Sequence, residues 1–383
     1  LMNKIKILHC ADLHLGAQLS SIGNLARQRS EEVLMTFDRI ISICKDESIE
    51  LLLIAGDLFE SCNVDTETAG AVKKALSQIP DTVTVISPGN HDYVSLDSVY
   101  EDDDWPENVH IFKSELDYIE LKDKKVRVWG AGFTGTYIEN SLLREADIPQ
   151  DDMVNICVMH GDLISENQES CYNPITPSLI RFSNMDYIAL GHIHKRTEIL
   201  HSGNTDYSYS GCPEGRGFDE LDEKGIYIGT VMKGHTELTF RPVCRRMNIE
   251  TYVDISGAST NNETAEIILH TLKNKYGENY SDNLYKVILI GGLESDYTPD
   301  CVKIAARLQY EVFYIKLNDE THIKIDLEEL SKETSLKGIF VKKMLDKINV
   351  YIKNNDEVSA NQYRKAMYIG IKAFDSEVTA NEN

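Results

Sequence analysis

No apolar run in this 383-residue chain approaches the roughly 18 residues a bilayer-spanning helix requires. The start, LMNKIKILHC, lacks the apolar stretch and small-residue cleavage site of a secretory signal. Both absences predict a cytoplasmic protein with no membrane contact; Leu1, ahead of Met2, reads as a cloning remnant. Closely spaced cysteine pairs are missing too. The eight cysteines, at 10, 44, 62, 157, 171, 212, 244 and 301, never fall within three residues of one another. That spacing excludes a zinc ribbon and a thioredoxin-like motif and fits scattered reduced thiols. Basic residues are scarce, 39 against 62 acidic ones, for a net charge of −23. Residues 321–383 balance ten basic against ten acidic side chains, so the deficit lies in residues 1–320, at 29 against 52. This argues against a broadly basic nucleic-acid surface. A cluster of metal-binding carboxylates would inflate the acidic count in the same way, so charge alone selects no partner class.

The chain is long enough for more than one unit. KIKILHCA (4–11), IELLLIAG (49–56) and TVTVISPG (82–89) read as buried strands, and residues 65–79 as a helix. Residues 27–45, with Val33, Phe37, Ile41 and Cys44 at helical spacing, read as another helix. This alternation predicts parallel pairing with right-handed crossovers and a ligand site beyond the carboxyl ends of the strands. Farther on, VHIFKS, YIELKD, KVRVWGAGF, VNICVMHG and MDYIALGHIH predict a second, more antiparallel sheet. The loop GCPEGRGFDELDEKG (211–225) then leads to a hairpin, IYIGTVMKGHTELTFRPV. Three parts are expected: a main α/β domain over 1–245, a small α/β module over 246–320, and a tail of amphipathic helices over 321–383.

The ends of the strands carry the chemistry. They present Asp12 and His14 in ADLHLG, Asp57 in AGDLFE, Asn90, His91 and Asp92 in PGNHDY, His160 in MHGD, and His192 and His194 in GHIH. Gly56, Gly89 and Gly191 stand immediately before the polar residues, where backbone must turn or approach closely. Imidazoles and carboxylates without thiolates suit a pair of zinc, iron or manganese ions and not a purely structural zinc site. On an extended segment, residues two apart face the same way, so D-x-H and H-x-H can each serve one cluster, with Ile193 turned into the core. A carboxylate such as Asp57 can bridge two ions about 3.5–4 Å apart, and such a pair lowers the pKa of a bound water. The implied reaction is hydrolysis of a phosphate ester. GHIH alone fits a surface or packing pair better than a ligand pair, whereas GNHD has little value in a packed core.

In this order, D-x-H, G-D, G-N-H-D, H-G and G-H-x-H resemble the calcineurin-like metallophosphoesterase superfamily. The resemblance implies a four-layer α/β/β/α sandwich with metals at the sheet ends. Asp12, His14 and His194 would hold one ion, Asn90, His160 and His192 the other, and Asp57 would bridge them. His91 would assist the transition state or protonate the leaving oxygen, with Asp92 orienting it. KILHCADLHLG, LLLIAGDLFE and YSGCPEGRGFDELDEKG further resemble the DNA repair exonuclease branch, of the SbcD and YhaO types, although Glu60 stands where Asp is commoner. That branch implies a manganese-dependent DNA nuclease, a cap that shapes the DNA cleft, an SbcC-type coiled-coil ATPase docked on the helical tail, and a homodimer in some members. Arg27, Arg29, Lys195, Arg196 and Arg216 are candidate phosphate contacts, with solvated surface charge as the alternative. Rival readings are a phosphodiesterase or phosphatase for a small molecule, nucleotide or lipid head group, and a non-catalytic scaffold for the ATPase.

Overall fold

The computed structural model describes residues 4–143, 148–149, 151–294, 296–324, 326–354 and 356–375. In chain order the first elements are β1 (Lys4–Cys10), α1 (Ala26–Asp46), β2 (Leu51–Ile54), α2 (Thr66–Leu76), β3 (Val83–Ile86), β4 (Val109–Ile111), β5 (Asp117–Leu121), β6 (Val126–Gly130) and β7 (Val154–His160). There follow α3 (Pro177–Phe182), β8 (Tyr187–Gly191), β9 (Leu200–Ser202), β10 (Thr205–Tyr209), β11 (Gly225–Met232) and β12 (His235–Pro242). One six-stranded sheet runs β12-β11-β1-β2-β3-β4, and a second runs β5-β6-β7-β8-β10-β9.

Alternate side chains of β1 explain the layering. Ile5 and Ile7 join Leu51, Leu53 and Val85 against Val126, Val128, Val154, Ile156 and Val158 of the second sheet. Leu8 and Cys10 face the other way, toward Val33, Phe37, Ile41 and Cys44 of α1 and Val72 and Leu76 of α2. On the far side of the second sheet, Cys157, Met159, Ile188 and Leu190 pack with Ile180 of α3. The resulting order is helix, sheet, sheet, helix, the sandwich that the motifs implied. Asp65 caps α2 by accepting from the Thr68 amide at 2.8 Å, and Thr176 caps α3 ahead of Pro177.

Two expectations are corrected. β4 lies in VHIFKS but pairs in parallel with β3, extending the first sheet. The second sheet is parallel through its middle, β6-β7-β8-β10, and antiparallel only at its edges. All seven residues of β7 are buried, as in parallel strands covered on both faces, whose near-continuous apolar run lacks the alternation of a half-exposed strand.

The chain beyond forms β13 (Asn248–Asp254), α4 (Asn261–Tyr276), β14 (Leu284–Ile290), β15 (Gly292–Leu293), α5 (Cys301–Leu308), β16 (Tyr314–Asp319), β17 (His322–Ile323), α6 (Leu327–Leu330), α7 (Leu336–Lys353) and α8 (Glu357–Asp375). Compactness divides the molecule into residues 1–251 with 276–286 and 309–316, and residues 252–275, 287–308 and 317–383. In the second unit α7 and α8 pack on one another through Val341, Ile348, Ala360, Met367 and Ile371. The ends of the expected main domain and tail, residues 1–3 and 376–383, lie outside the described residues. Among the described residues, no helix is long and apolar enough to cross a membrane.

Candidate metal centre

The strand ends converge. Asp12 and His14 follow β1, Asp57 follows β2, Asn90 and His91 follow β3, His160 ends β7, and His192 and His194 follow β8. One ligand atom from each of Asp12, His14 and His194 lies within 4.8 Å of the others, and the same holds for Asp12, Asp57 and His160. Close approach accounts for the glycines: a Cβ at Gly56 would strike the His160 ring, one at Gly89 the Asp57 carboxylate, and one at Gly191 the Ala55 carbonyl.

The mechanism of convergence differs from the expected strand alternation. Asp12, His14 and Asp57 stand in the left-handed region at φ 54°, 49° and 48°, and His192 at φ 110°. Such backbone is uncommon for residues other than glycine, with Asp, Asn and His the most tolerant, and it concentrates at functional sites. Because the GHIH backbone bends instead of extending, Ile193 does not alternate into the core but is 36% exposed.

Hydrogen bonds fix which ring nitrogens face the centre. His160 Nδ1 donates to the Ala55 carbonyl at 3.0 Å, which turns the Nε2 lone pair toward Asn90 Oδ1 at 3.0 Å and Asp57 Oδ2 at 3.4 Å. His194 Nδ1 donates to Glu220 Oε1 at 2.6 Å, leaving its Nε2 3.2 Å from His14 Nε2. His14 Nδ1 in turn lies 2.9 Å from Glu60 Oε2, and its Nε2 lies 3.6 Å from Asp57 Oδ2. Asp12 Oδ1 accepts from the His192 amide at 2.9 Å, while Oδ2 is buried without a hydrogen-bond partner. Lone pairs thus face lone pairs in two adjacent places, an arrangement that only cations or protons satisfy. This donor set fits two divalent ions.

The electrostatics agree. Burial raises the Asp12 carboxyl. Burial pushes Asp57 up as well, yet the His160 and His14 imidazoles hold it well below the carboxylate range. Burial opposes charge on His160, but the Asp57 carboxylate beside it carries the imidazole up to about 9. His192, desolvated and beside His160, falls to about 4.

Four expectations about the surroundings change. Asp92 does not touch the His91 ring: its carboxylate accepts from Gly89 N at 2.7 Å, Phe59 N at 3.1 Å and Tyr100 Oη at 2.6 Å, which fastens the 89–92 loop to the 57–60 loop. The His91 ring meets Glu60 instead, with Nδ1 3.3 Å from its carbonyl oxygen. Arg29 is 1% exposed, paired with Glu32 and Glu214 and donating to the Gly215 carbonyl, so it cannot reach a substrate phosphate. Arg27 sits on exposed α1 surface paired with Glu31 and is not gathered into the centre. Lys195 and Arg196 do border His194, along a cavity of about 410 Å³. Arg216 is at the centre, but its guanidinium already pairs with Glu60 and Glu220. Glu220 had no local signal in the sequence, being one acid among Glu214, Asp219, Asp222 and Glu223.

Three curated proteins align with this chain. Metallophosphoesterase YhaO of Bacillus subtilis is 25% identical over 352 residues, covering 86% of this chain and 85% of that protein. The DNA double-strand break repair protein Mre11 of Methanopyrus kandleri is 28% identical over 251 residues, 58% of this chain and 52% of the relative. The SbcD component of the SbcCD nuclease of Bacillus subtilis is 25% identical over 259 residues, 56% and 63% respectively. The family model for calcineurin-like phosphoesterases matches residues 5–196, which reach from the first strand to just past His194. With half the chain under that model and every polar strand end within it, the protein belongs to the calcineurin-like phosphoesterase family and is a phosphoester hydrolase.

Proposed function

We propose that the protein is a metal-dependent DNA nuclease, the exonuclease subunit of a DNA repair complex in the cytoplasm. The observation that carries the reading is the pair of facing lone-pair sets around Asp57, supported by similarity to proteins named as a repair protein and a nuclease subunit. Asp12, His14 and His194 would hold one ion and Asn90, His160 and His192 the other, with Asp57 shared between them and manganese the expected metal. When bound, two such ions neutralise phosphate charge and acidify a water. Around them, Asp57 Oδ1 accepts the His91 amide at 3.0 Å and thereby seats the His91 ring at the mouth of the site. With Nδ1–H directed at the Glu60 carbonyl, His91 Nε2 would be the atom that hands a proton to the leaving oxygen as the ester bond breaks, while the attacking water gives up a proton to solvent as its oxygen bonds to phosphorus. Purified protein with manganese should release nucleotides from DNA, and His91→Ala should lower that rate by about 10²–10⁴ with metal content unchanged. Full activity in the variant would overturn the assignment.

The organisation into a nuclease domain (1–245), a capping domain (246–320) and a tail (321–383) that docks an SbcC-type coiled-coil ATPase belongs to the same proposal, as does a homodimer. Exposed Leu336, Val350 and Ile369 on the tail helices support docking. One observation favours a second reading. With Arg29 buried and Arg216 engaged by carboxylates, few cations near the centre remain for a polyanion, which suits a small phosphodiester. Comparing turnover of a nitrophenyl phosphodiester, cyclic nucleotides and DNA separates the two.

A further inference from the structure

The two halves of the centre are supported by different means. His160 leans on a backbone carbonyl, that of Ala55. His194 leans on a carboxylate through a hydrogen bond to Glu220 at 2.6 Å, and His14 Nδ1 lies against the Glu60 carboxylate at 2.9 Å as a charge contact without hydrogen-bond alignment. A single side chain ties those carboxylates together. Arg216 Nη1 donates to Glu60 Oε2 at 3.0 Å, Nη2 donates to Glu220 Oε1 at 3.1 Å, and the Arg216 amide donates to Glu220 Oε2 at 2.7 Å. Glu60 and Glu220 come close enough to the histidines to serve as ligands themselves. The guanidinium between them already answers their charge, so they support the imidazoles from outside.

The clamp has a buried foundation. Glu214 and Gly215, the residues just before Arg216, are gripped from α1: Arg29 donates to Glu214 Oε1 and to the Gly215 carbonyl, each at 2.8 Å, and Thr36 Oγ1 donates to Glu214 Oε2 at 2.8 Å. Arg29, Glu32 and Glu214 are all at most 3% exposed, so this part of the loop is fixed from the protein interior.

We infer that Arg216, through Glu60 and Glu220, is a positioning residue for one metal position only, the one served by His14 and His194. This rests on the dinuclear reading above. An imidazole backed by a carboxylate is held in one tautomer and made a stronger base, and loss of such a partner costs about 10–100-fold in metal affinity. Released from Arg216, Glu60 and Glu220 are free to turn toward the metal or away to solvent, and His14 and His194 lose their fixed orientation together. His160 and Asn90 share none of these contacts.

Manganese titration by calorimetry, with electron paramagnetic resonance on the same samples, tests this in wild type, Arg216→Met and Arg216→Lys. Wild type should take up two ions and give the spectrum of a coupled pair. Arg216→Met should keep one ion at wild-type affinity, bind the second about 10–100-fold more weakly, and at limiting metal give the spectrum of an isolated ion. Arg216→Lys, which keeps the charge but cannot bridge both carboxylates, should do the same, and it serves as the test if circular dichroism finds the Met variant unfolded. Equal weakening of both ions, or two unchanged affinities, would overturn the clamp while leaving the dinuclear reading in place. A wild type that binds fewer than two ions would overturn the dinuclear reading, and the clamp with it.

Discussion

Replacing Arg29 with Met would leave Glu214 without its cation in the protein interior, while Glu32 keeps Arg246 on both oxygens. Breaking a buried pair from one side costs about 3–5 kcal/mol, because the surviving charge stays desolvated. Urea unfolding of Arg29→Met should register a loss of that size, and a loss below about 1 kcal/mol would mean that the loop relaxes at little cost. The same scale decides how the ligands should be probed. Asp12 and Asp57 occupy left-handed backbone, so Ala at either position adds backbone strain to the loss of a ligand. Asn tolerates that backbone and removes the charge, so Asp57→Asn should bind metal far more weakly than wild type, as calorimetric titration with manganese would check. These polar residues were legible because each follows an apolar strand. Glu220 and the true partners of Asp92 were not, because both depend on contacts made across the fold and leave no local pattern.

At the scale of elements, α1 carries a pH-sensitive junction. Burial raises Glu32, but hydrogen bonds from Arg246 and Arg29 outweigh it and bring its carboxyl from 4.5 down to about 2. A depressed folded-state value stabilises the fold above the unfolded value, and that contribution is lost as pH falls from about 4.5 through about 2. Glu32→Gln should therefore be less stable than wild type at neutral pH, and the gap should close as pH drops through this window. A gap independent of pH would remove the ionic explanation. Helices and strands along the first sheet could be read from periodicity because each buries one definite face. The direction of the second sheet could not be read, since β7, buried on both sides, lacks the alternation that tells the two arrangements apart. Nor could the sheet to which β4 belongs, a matter of three partly buried residues pairing with β3.

For the molecule as a whole, metal should act as a stabiliser. Each ion that binds only the folded state adds about 2.7 kcal/mol when free metal is about a hundredfold above its Kd. Calorimetric melting should thus rise on adding manganese and fall back in chelator, and an unmoved transition would be incompatible with a preformed centre. The sandwich and its strand-end site were legible in the sequence, because the motifs sit where parallel sheets must present their loops. The support beneath them was not, since Arg29, Glu214, Arg216 and Glu60 meet only after 185 and 156 residues of chain separation are closed. The donors come from both sheets: Asp12, His14, Asp57 and Asn90 follow strands of one, His160, His192 and His194 strands of the other. In time rather than space, the centre is among the last things the chain can finish. A partly folded state with one sheet formed holds four or three of the seven donors, so metal uptake during refolding would mark the moment the two sheets dock.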